Sequence, residues 1–457
     1  MASHDLVATL VRGYLDDAAD LARFACVDRQ RRKEAPASAA EVTVRNVKHV
    51  SGALRLAGAC LRKLTLNTLG WTVGEQGAIA GGIDGLVAGS VRLDVVGSLF
   101  RHGFGSQVLV TWAAAMVARP AVRELRLDYF CVWTEESVAL LRHPKLVVTD
   151  TLALFFMDVG GLAADIHRHA EVSTLQLEYC LNVTPALLAG TRARCLKWED
   201  IPPLTPEQAA AIACNAGIRQ ILFQLGNNTD EHTLSLAALL RRPHDYSDGV
   251  CVSFAHSSNR VYEANPAVGR ALAEAFASPS LRVGAHLEMD TTFAISAEAV
   301  PDDDLLAAIA ACASRNKALK RLTVHIDGVP LPGNGARALL RLPEHVISVS
   351  VNTYEEERMA YAPGSKVRRD NRWLWDALMG IDLPGATTLS LSVNYGMSES
   401  SEPGVFRAAG VALARGVPNL IDLDVRFTQD DVNERWIEPF CEGLGKFVTR
   451  GDQCVTC

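Results

Sequence analysis

Few residues in this 457-residue chain have the types and spacing that chemistry needs. Asp165, His167 and His169 in "DIHRH" offer carboxylate and imidazole, the usual ligands of zinc. They alternate at i and i+2 at what reads as a helix end, where side chains diverge, so a metal centre is not expected. Cys454 and Cys457 form one C-x-x-C without a second pair, a weak zinc or redox signal. "PGNGAR" (332–337) has glycines but no Lys-Ser/Thr to hold nucleotide phosphates and magnesium, and reads as a turn. Arg368, Arg369 and Arg372 beside Trp373 and Trp375 resemble a base-stacking patch. The acidic run Glu355–Glu357 in the same region neutralises it. No G-x-S-x-G, H-E-x-x-H or Cys–His arrangement is recognisable, so no catalytic residue, metal or cofactor is expected.

The elements that position these residues follow a different rule. An apolar–x–apolar core returns along the chain as Leu64-Thr65-Leu66, Leu125-Arg126-Leu127, Leu175-Gln176-Leu177, Leu322-Thr323-Val324, Leu389-Ser390-Leu391 and Leu423-Asp424-Val425. Strand cores are predicted near 41–46, 61–67, 91–96, 122–128, 150–156, 172–178, 194–199, 218–224, 249–254, 281–288, 319–326, 345–352, 387–393 and 419–427. Between them, apolar residues three and four apart predict helices at 106–119, 135–143, 205–215, 267–278, 302–315 and 405–416. Thr205-Pro206-Glu207 and the aspartates at 302–304 are helix-start signals. Strand followed by helix, many times over, implies parallel strands joined by right-handed crossovers.

Equivalent positions Leu127, Leu154, Leu177 and Trp198 recur at steps of 27, 23 and 21. Self-similarity of this length is the mark of a solenoid, and leucine-rich repeats span about 20–29 residues. The chain resembles the leucine-rich-repeat family over most of 41–427. That resemblance implies an α/β solenoid, a right-handed horseshoe with a parallel concave sheet and convex helices. Segments 241–249, 352–373 and 394–404 read as long loops inserted in the stack.

Residues 1–40 read as a small helical module. One apolar stripe holds Leu6, Leu10, Val11, Tyr14 and Leu15, and a second holds Leu21, Phe24, Ala25 and Val27. The segment is similar to the F-box, through Leu10-Val11, Tyr14-Leu15, Asp20-Leu21 and Ala25-Cys26-Val27 with the basic Arg29, Arg31 and Arg32 behind them. The resemblance implies docking on the adaptor of a cullin–RING ubiquitin ligase through Leu10, Val11, Tyr14, Leu15, Leu21 and Val27. The other reading is a helical cap over the first repeat, since a solenoid's end must be shielded.

Composition narrows the partners. A net charge of −7 disfavours general binding to a phosphate backbone, so nucleic acid is not expected. The chain has no apolar run long enough to span a membrane and opens without a secretory signal. Its eleven scattered cysteines fit a reduced, intracellular protein, cytoplasmic or nuclear. In a parallel solenoid the residues flanking each strand's apolar pair point to the concave face. That projection selects Glu124, Arg126, Asp128, Gln176, Glu178, Lys197, Arg321, His325, Ser390, Asp422, Asp424 and Arg426. This lining is polar and of mixed charge, which suits a protein target better than a phosphate.

Overall fold

A computed structural model describes residues 41–44, 63–67, 92–96, 122–128, 141, 147–224, 230–253, 266–291, 303–327, 334–354, 378–393, 403–427, 437–445 and 455–456. The N-terminal module, the helix expected at 106–119 and the loops expected at 352–373 and 394–404 lie outside these residues, except for the ends 352–354 and 403–404. The chain divides into two units, residues 1–201 and 202–457.

In the first unit the strands are β1 (Glu41–Val44), β2 (Lys63–Asn67), β3 (Arg92–Val96), β4 (Val122–Asp128), β5 (Val148–Phe155), β6 (Thr174–Glu178) and β7 (Cys195–Glu199). All pair in parallel and in chain order. The register sets Leu127 opposite Leu154, Leu154 opposite Leu177, and Leu177 opposite Trp198. The repeat read from the sequence is thus the repeat of the fold. Helices α1 (Ala163–His167) and α2 (Pro185–Gly190) follow β5 and β6.

The second unit repeats the plan. It opens on α3 (Pro206–Cys214) and continues with β8 (Gln220–Gln224), α4 (Asp230–Leu240), β9 (His244–Tyr246), β10 (Gly249–Ser253), α5 (Pro266–Ala277), β11 (Leu281–Val283) and β12 (His286–Thr291). Then follow α6 (Asp303–Arg315), β13 (Arg321–Asp327), α7 (Asn334–Leu339), β14 (Ser348–Tyr354), β15 (Thr388–Val393), α8 (Pro403–Gly416), β16 (Asp422–Phe427), α9 (Ile437–Leu444) and β17 (Val455–Thr456). Strands β8, β10, β12, β13, β14, β15, β16 and β17 form parallel pairs in that order. Each unit is a stack of parallel strands alternating with helices, repeated along the chain.

Three local readings change. The segment 241–249 is no plain loop: β9 lies inside it and pairs in parallel with β11 as a separate two-stranded sheet. The strand expected at 281–288 is two strands, β11 and β12, broken at Gly284. A Cβ on Gly284 would stand 1.7 Å from the Ser247 carbonyl oxygen, so only glycine lets the chain step from one sheet to the other. Finally, most of "PGNGAR" is the start of α7 rather than a turn.

Core burial follows an i, i+3, i+5 rule. Val172/Leu175/Leu177, Ala193/Leu196/Trp198, Ile218/Ile221/Phe223, Leu319/Leu322/Val324, Val346/Val349/Val351 and Ala386/Leu389/Leu391 are all buried. The first residue of most such triplets donates its amide to the carbonyl three positions back, as Val172 does to His169 and Leu319 to Asn316. This turn aims the chain into its strand. Helix α3 shows why the intervening segments stop and start where they do. Pro206 sits in its first turn, the Thr205 hydroxyl accepts from the Gln208 amide at 3.2 Å, and the Thr205 amide donates to Gln208 Oε1 at 2.7 Å.

At the C-terminal end α8 and α9 touch through glycines. A Cβ on Gly443 would lie 2.1 Å from the Arg407 carbonyl oxygen, and one on Gly410 would lie 2.3 Å from that of Phe440. Arg407 and Glu442 pair beside this contact at 2.9 Å. Helix propensity alone would reward Gly443→Ala by up to ~1 kcal/mol. The clash is with backbone, which cannot rotate away, so overpacking wins. We expect Gly443→Ala to lower unfolding stability by about 1–3 kcal/mol, read from urea midpoints; an unchanged or higher midpoint would refute the close packing.

His169 is 3% exposed, with the Leu141 carbonyl as the one acceptor that acts on its ring among the described residues. Burial, with the neighbouring Arg168 charge, lowers its pKa from 6.5 to about 4. The Leu141 carbonyl, already bonded by Arg168, and Asp165 favour the protonated ring only in part. Above 6.5 the ring is neutral in both folded and unfolded chains. Between 6.5 and about 4 only the unfolded chain binds the proton, so stability falls as pH drops through this window, by up to ~1.4 kcal/mol per pH unit. His169→Leu should flatten this slope between pH 6.5 and about 4; equal slopes in the two proteins would exclude His169 as its source.

Candidate functional site

Because strand side chains alternate, burying one apolar set leaves the other set on the opposite face of the sheet. On β6, Thr174, Gln176 and Glu178 are half-buried between the buried Leu175 and Leu177. On β7, Cys195, Lys197 and Glu199 do the same around Leu196 and Trp198. Parallel register lines these residues into rows. Asp94, Arg126, Ala153, Gln176 and Lys197 form one, and Phe155, Glu178 and Glu199 end another. Of the predicted lining, Glu124 and Arg126 stand in register with Arg92 and Asp94, and Asp128 with Val96, by strand position.

The first unit has a feature at the exit of its last strands. Gln176 Nε2 donates to Glu199 Oε1 at 3.2 Å, tying the two rows together. The residues following β5, β6 and β7, namely Phe156, Tyr179 and Asp200, all have left-handed backbone, with φ of 55°, 49° and 47°. The ladder continues through them: the Phe156 amide donates to the Glu178 carbonyl at 2.9 Å and the Tyr179 amide to the Glu199 carbonyl at 3.0 Å. This geometry brings the Phe156 and Tyr179 rings into a stack, centroids 4.5 Å apart and planes 8° from parallel. Tyr179 donates its phenol hydrogen to the Asp200 carboxylate. That bond, then partial burial and the negative charges of Asp200, Glu178 and Glu199, push the phenol up to about 12. Directly after it Cys180 turns inward, its thiol 3.3 Å from the Leu154 carbonyl oxygen, and burial raises its pKa to about 11. A thiol so placed is a structural group rather than a nucleophile.

The second unit carries three rows. Glu288, Thr323, Ser350, Ser390 and Asp424 lie in register across β12 to β16. Asp290, His325, Asn352, Ser392 and Arg426 form the row towards the strand ends, and His286, Arg321, Ser348, Thr388 and Asp422 the row at their starts. Small hydroxyls and amides occupy the middle strands, and charged groups flank them. Arg321 and Asp422 are exposed, while His325, Ser390 and Asp424 are half-buried. His286 Nε2 lies 3.7 Å from Glu288 Oε2 and 3.5 Å from Thr323 Oγ1. Burial lowers the pKa of this imidazole, as does Arg321, against the opposing pull of Glu288.

The predicted lining residues thus fall on the outer rows wherever their side chains are described, four of them in register pairs. The adaptor-facing set, Leu10, Val11, Tyr14, Leu15, Leu21 and Val27, lies outside the described residues. His167 spends Nε2 on the Leu187 carbonyl at 2.9 Å while His169 is buried, and no group of metal-ligating side chains gathers among the described residues. Sequence reasoning missed Phe156, Tyr179 and Asp200. Their signal was the same spacing as the strands, 23 then 21 residues, one position past each outward-facing strand end.

The rows offer hydrogen bonding, ion pairing and stacking. No described helix is long and apolar enough to cross a membrane. No protein-family model matches the chain, and no curated protein matches it. Among solved structures it is similar to a chain of the crystal structure of the Rad7 and Elc1 complex in yeast. Identity there is 12% and the TM-score 0.39, over 94% of this chain and 91% of that one. It is also similar to the leucine-rich repeat-containing protein LegL7 from Legionella pneumophila, at 14% identity and a TM-score of 0.33, over 88% and 95% of the two chains.

The Tyr179–Asp200 bond gives a direct check on this geometry. In Asp200→Asn the phenol loses both a carboxylate acceptor and a neighbouring charge, so Tyr179 should ionise closer to the ordinary 10 than to about 12. Ring-carbon NMR shifts followed through alkaline pH report it; an unmoved titration would exclude the bond.

Proposed function

We propose that the protein is a non-catalytic interaction scaffold that binds a protein target on the outer face of its sheet and presents it to a cullin–RING ubiquitin ligase. The observation that supports the binding role is the set of outward-facing polar residues in register over successive parallel strands, mixed in charge and half-buried or exposed, interrupted on β5 by the buried Ala153 and Phe155. Such a surface makes many hydrogen bonds at fixed spacing and no single-sign field, a pattern that favours a protein over a nucleic acid. Glu124, Arg126, Asp128, Gln176, Glu178 and Lys197 serve this role in the first unit. Arg321, His325, Ser390, Asp422, Asp424 and Arg426 serve it in the second. The ligase link rests on the F-box-like residues of the N-terminal segment, which would contact the adaptor. The free thiols at Cys180, Cys214 and Cys312 suit a reducing, intracellular setting.

A second reading has a specific observation behind it. Strand β1 pairs on one side only among the described strands, with β2, and residues 1–40 lead straight into it. An open strand edge has to be covered, so this segment could act as a cap on a stand-alone scaffold.

Affinity purification of the full chain beside a 36–457 truncation separates the two. Recovery of the adaptor and cullin with the full chain alone is the expected result. Recovery with neither, and a truncation of lower solubility and melting temperature, would overturn the ligase link in favour of the cap.

A further inference from the structure

We propose that the entry edge of strands β13 to β16 binds an extended segment of the protein target in which an acidic stretch adjoins two apolar residues three apart. This deepens the scaffold reading above, by naming the chemistry of the segment taken, and rests on it.

One row before the polar rows of the sheet, Lys320, Ile347, Thr387 and Ile421 stand side by side at the strand entries. Backbone bonds hold them there. The Ile347 and Ser348 amides donate to the Lys320 carbonyl, those of Thr387 and Thr388 to Ile347, and those of Ile421 and Asp422 to Thr387. Ile347 is 43% exposed and Ile421 61%, the highest value among the large apolar residues described. The core does not require them, since Val346, Val349, Leu420 and Leu423 on either side are buried. Nor does the repeat: the same place holds Ser173 before β6, Arg194 before β7 and Arg219 before β8. β-Branched residues suit extended backbone, which is reason enough for one surface isoleucine. Here two share a row, and Thr387 between them spends its hydroxyl on the Ile347 carbonyl at 3.2 Å, so the strip is apolar throughout.

Charge decides which segment fits. Lys317, Lys320 and Arg321 are exposed at the β13 end of the strip, and no ion pair holds any of them among the described residues. The turn that carries Lys317 is pinned by Asn316, which accepts from the Val283 amide at 3.0 Å and donates to the Cys312 carbonyl at 2.8 Å. Glu344, exposed on the next turn, offsets one of the three charges. The β16 end shows the exposed Asp422 instead. An acidic stretch therefore gains at one end of the strip and is repelled at the other. Spacing selects the conformation. Neighbouring strands lie about 4.8 Å apart, so Ile347 and Ile421, two strands apart, are separated by roughly 10 Å. A polyproline-type chain advances about 3.1 Å per residue with three residues per turn, so residues i and i+3 share a face about 9.3 Å apart. Two apolar side chains at that spacing meet both isoleucines, and the acidic residues next to them reach Lys320, one strand earlier.

The probe is a labelled peptide of two aspartates followed by Leu-Pro-Ser-Leu, titrated against the full chain at about 0.15 M salt, where weak surface attraction is screened. It should bind more tightly than a comparator with lysines for the aspartates, and than one with serines for the leucines. Ile421→Ser should weaken it by roughly 5- to 20-fold, the share of burying much of one isoleucine. Lys320→Glu should weaken it by roughly 3- to 10-fold, one attraction lost and one repulsion gained. Lys320→Glu also guards against misfolding at Ile421, since it leaves the apolar strip intact. Glu274→Gln on α5, at an exposed ion pair with Arg241, should change nothing. Absence of probe binding, equal binding of either comparator, native affinity in either site variant, or equal weakening by Glu274→Gln would overturn the site. If the native chain sediments as a dimer and Ile421→Ser as a monomer, a second copy of the chain covers the strip and the peptide site is overturned. If a purified target binds the Ile421→Ser and Lys320→Glu chains as well as the native one, the edge site fails while the scaffold stands. If binding also survives Lys197→Glu and Ser390→Lys, the sheet-face reading fails as well.

Discussion

The stack rests on backbone hydrogen bonds that no repeat can make within itself. Every strand in it is parallel to its neighbours, so each amide and carbonyl finds its partner one repeat away. The arrangement extends beyond the strands at their entry. The Ser173 carbonyl accepts from both Arg194 and Cys195, Lys320 from Ile347 and Ser348, and Thr387 from Ile421 and Asp422. Using both lone pairs of one carbonyl locks the approach of the next strand as well as its start. Register then ceases to be free, because a slip of one residue would turn Leu175 and Leu177 to water and Gln176 into the core.

Polar side chains secure the seams where the backbone turns away. His345 reaches the Ala313 carbonyl at 3.0 Å, Asn316 accepts from the Val283 amide at 3.0 Å, and Asn419 donates to the Pro384 carbonyl at 2.7 Å. Arg315 holds the Phe276 and Ser278 carbonyls at 2.9 and 2.8 Å. The Ala313 and Phe276 carbonyls lie in the last turns of α6 and α5, where they would otherwise lack a partner, while the Val283 amide belongs to β11 and the Pro384 carbonyl to a connection. These contacts span some thirty to forty residues of sequence, as Asn316 to Val283 and Arg315 to Phe276 do, and bind each turn to its neighbour. Gly385 belongs to the same seam: a Cβ there would stand 1.8 Å from the Glu344 carbonyl oxygen.

Strand positions were legible because burial on one face imposes a strict period, and Leu154, Leu177 and Trp198 cannot be exchanged for polar residues without exposing core. Helices α3, α5, α6 and α8 were legible for the same reason and by their start signals. What stayed hidden has local causes. Strand β9 is only three residues long, and its buried Tyr246 carries too little pattern to distinguish a strand from a loop. The break between β11 and β12 depends on Gly284 meeting Ser247, a contact across 37 residues that periodicity does not encode. Helix α7 opens on Asn334-Gly335, residues with turn preferences that tertiary packing overrides. The outer rows were readable from alternation alone, which says where a side chain stands but not what it touches. The Phe156–Tyr179 stack depends on positive φ values, and neither aromatic advertises that conformation in sequence.

The ladder also fixes which outward positions carry short side chains and which carry bulky ones. In the middle of β13 to β15 the outer side chains are short, and Thr323, Ser350 and Ser390 stand in one row with their hydroxyls close to the sheet. Short side chains of this kind reach little beyond the sheet surface. At the exits of β5 to β7 the opposite holds. Leaving the strand through left-handed backbone turns the chain while its amide still bonds to the next repeat, so Phe156 and Tyr179 project from a fixed frame. A bulky group can be held open to solvent in one orientation only when the backbone beneath it is over-determined. The same hydrogen bonds that impose the repeat therefore also hold, at the exits of β5 and β6, two aromatic side chains in left-handed backbone.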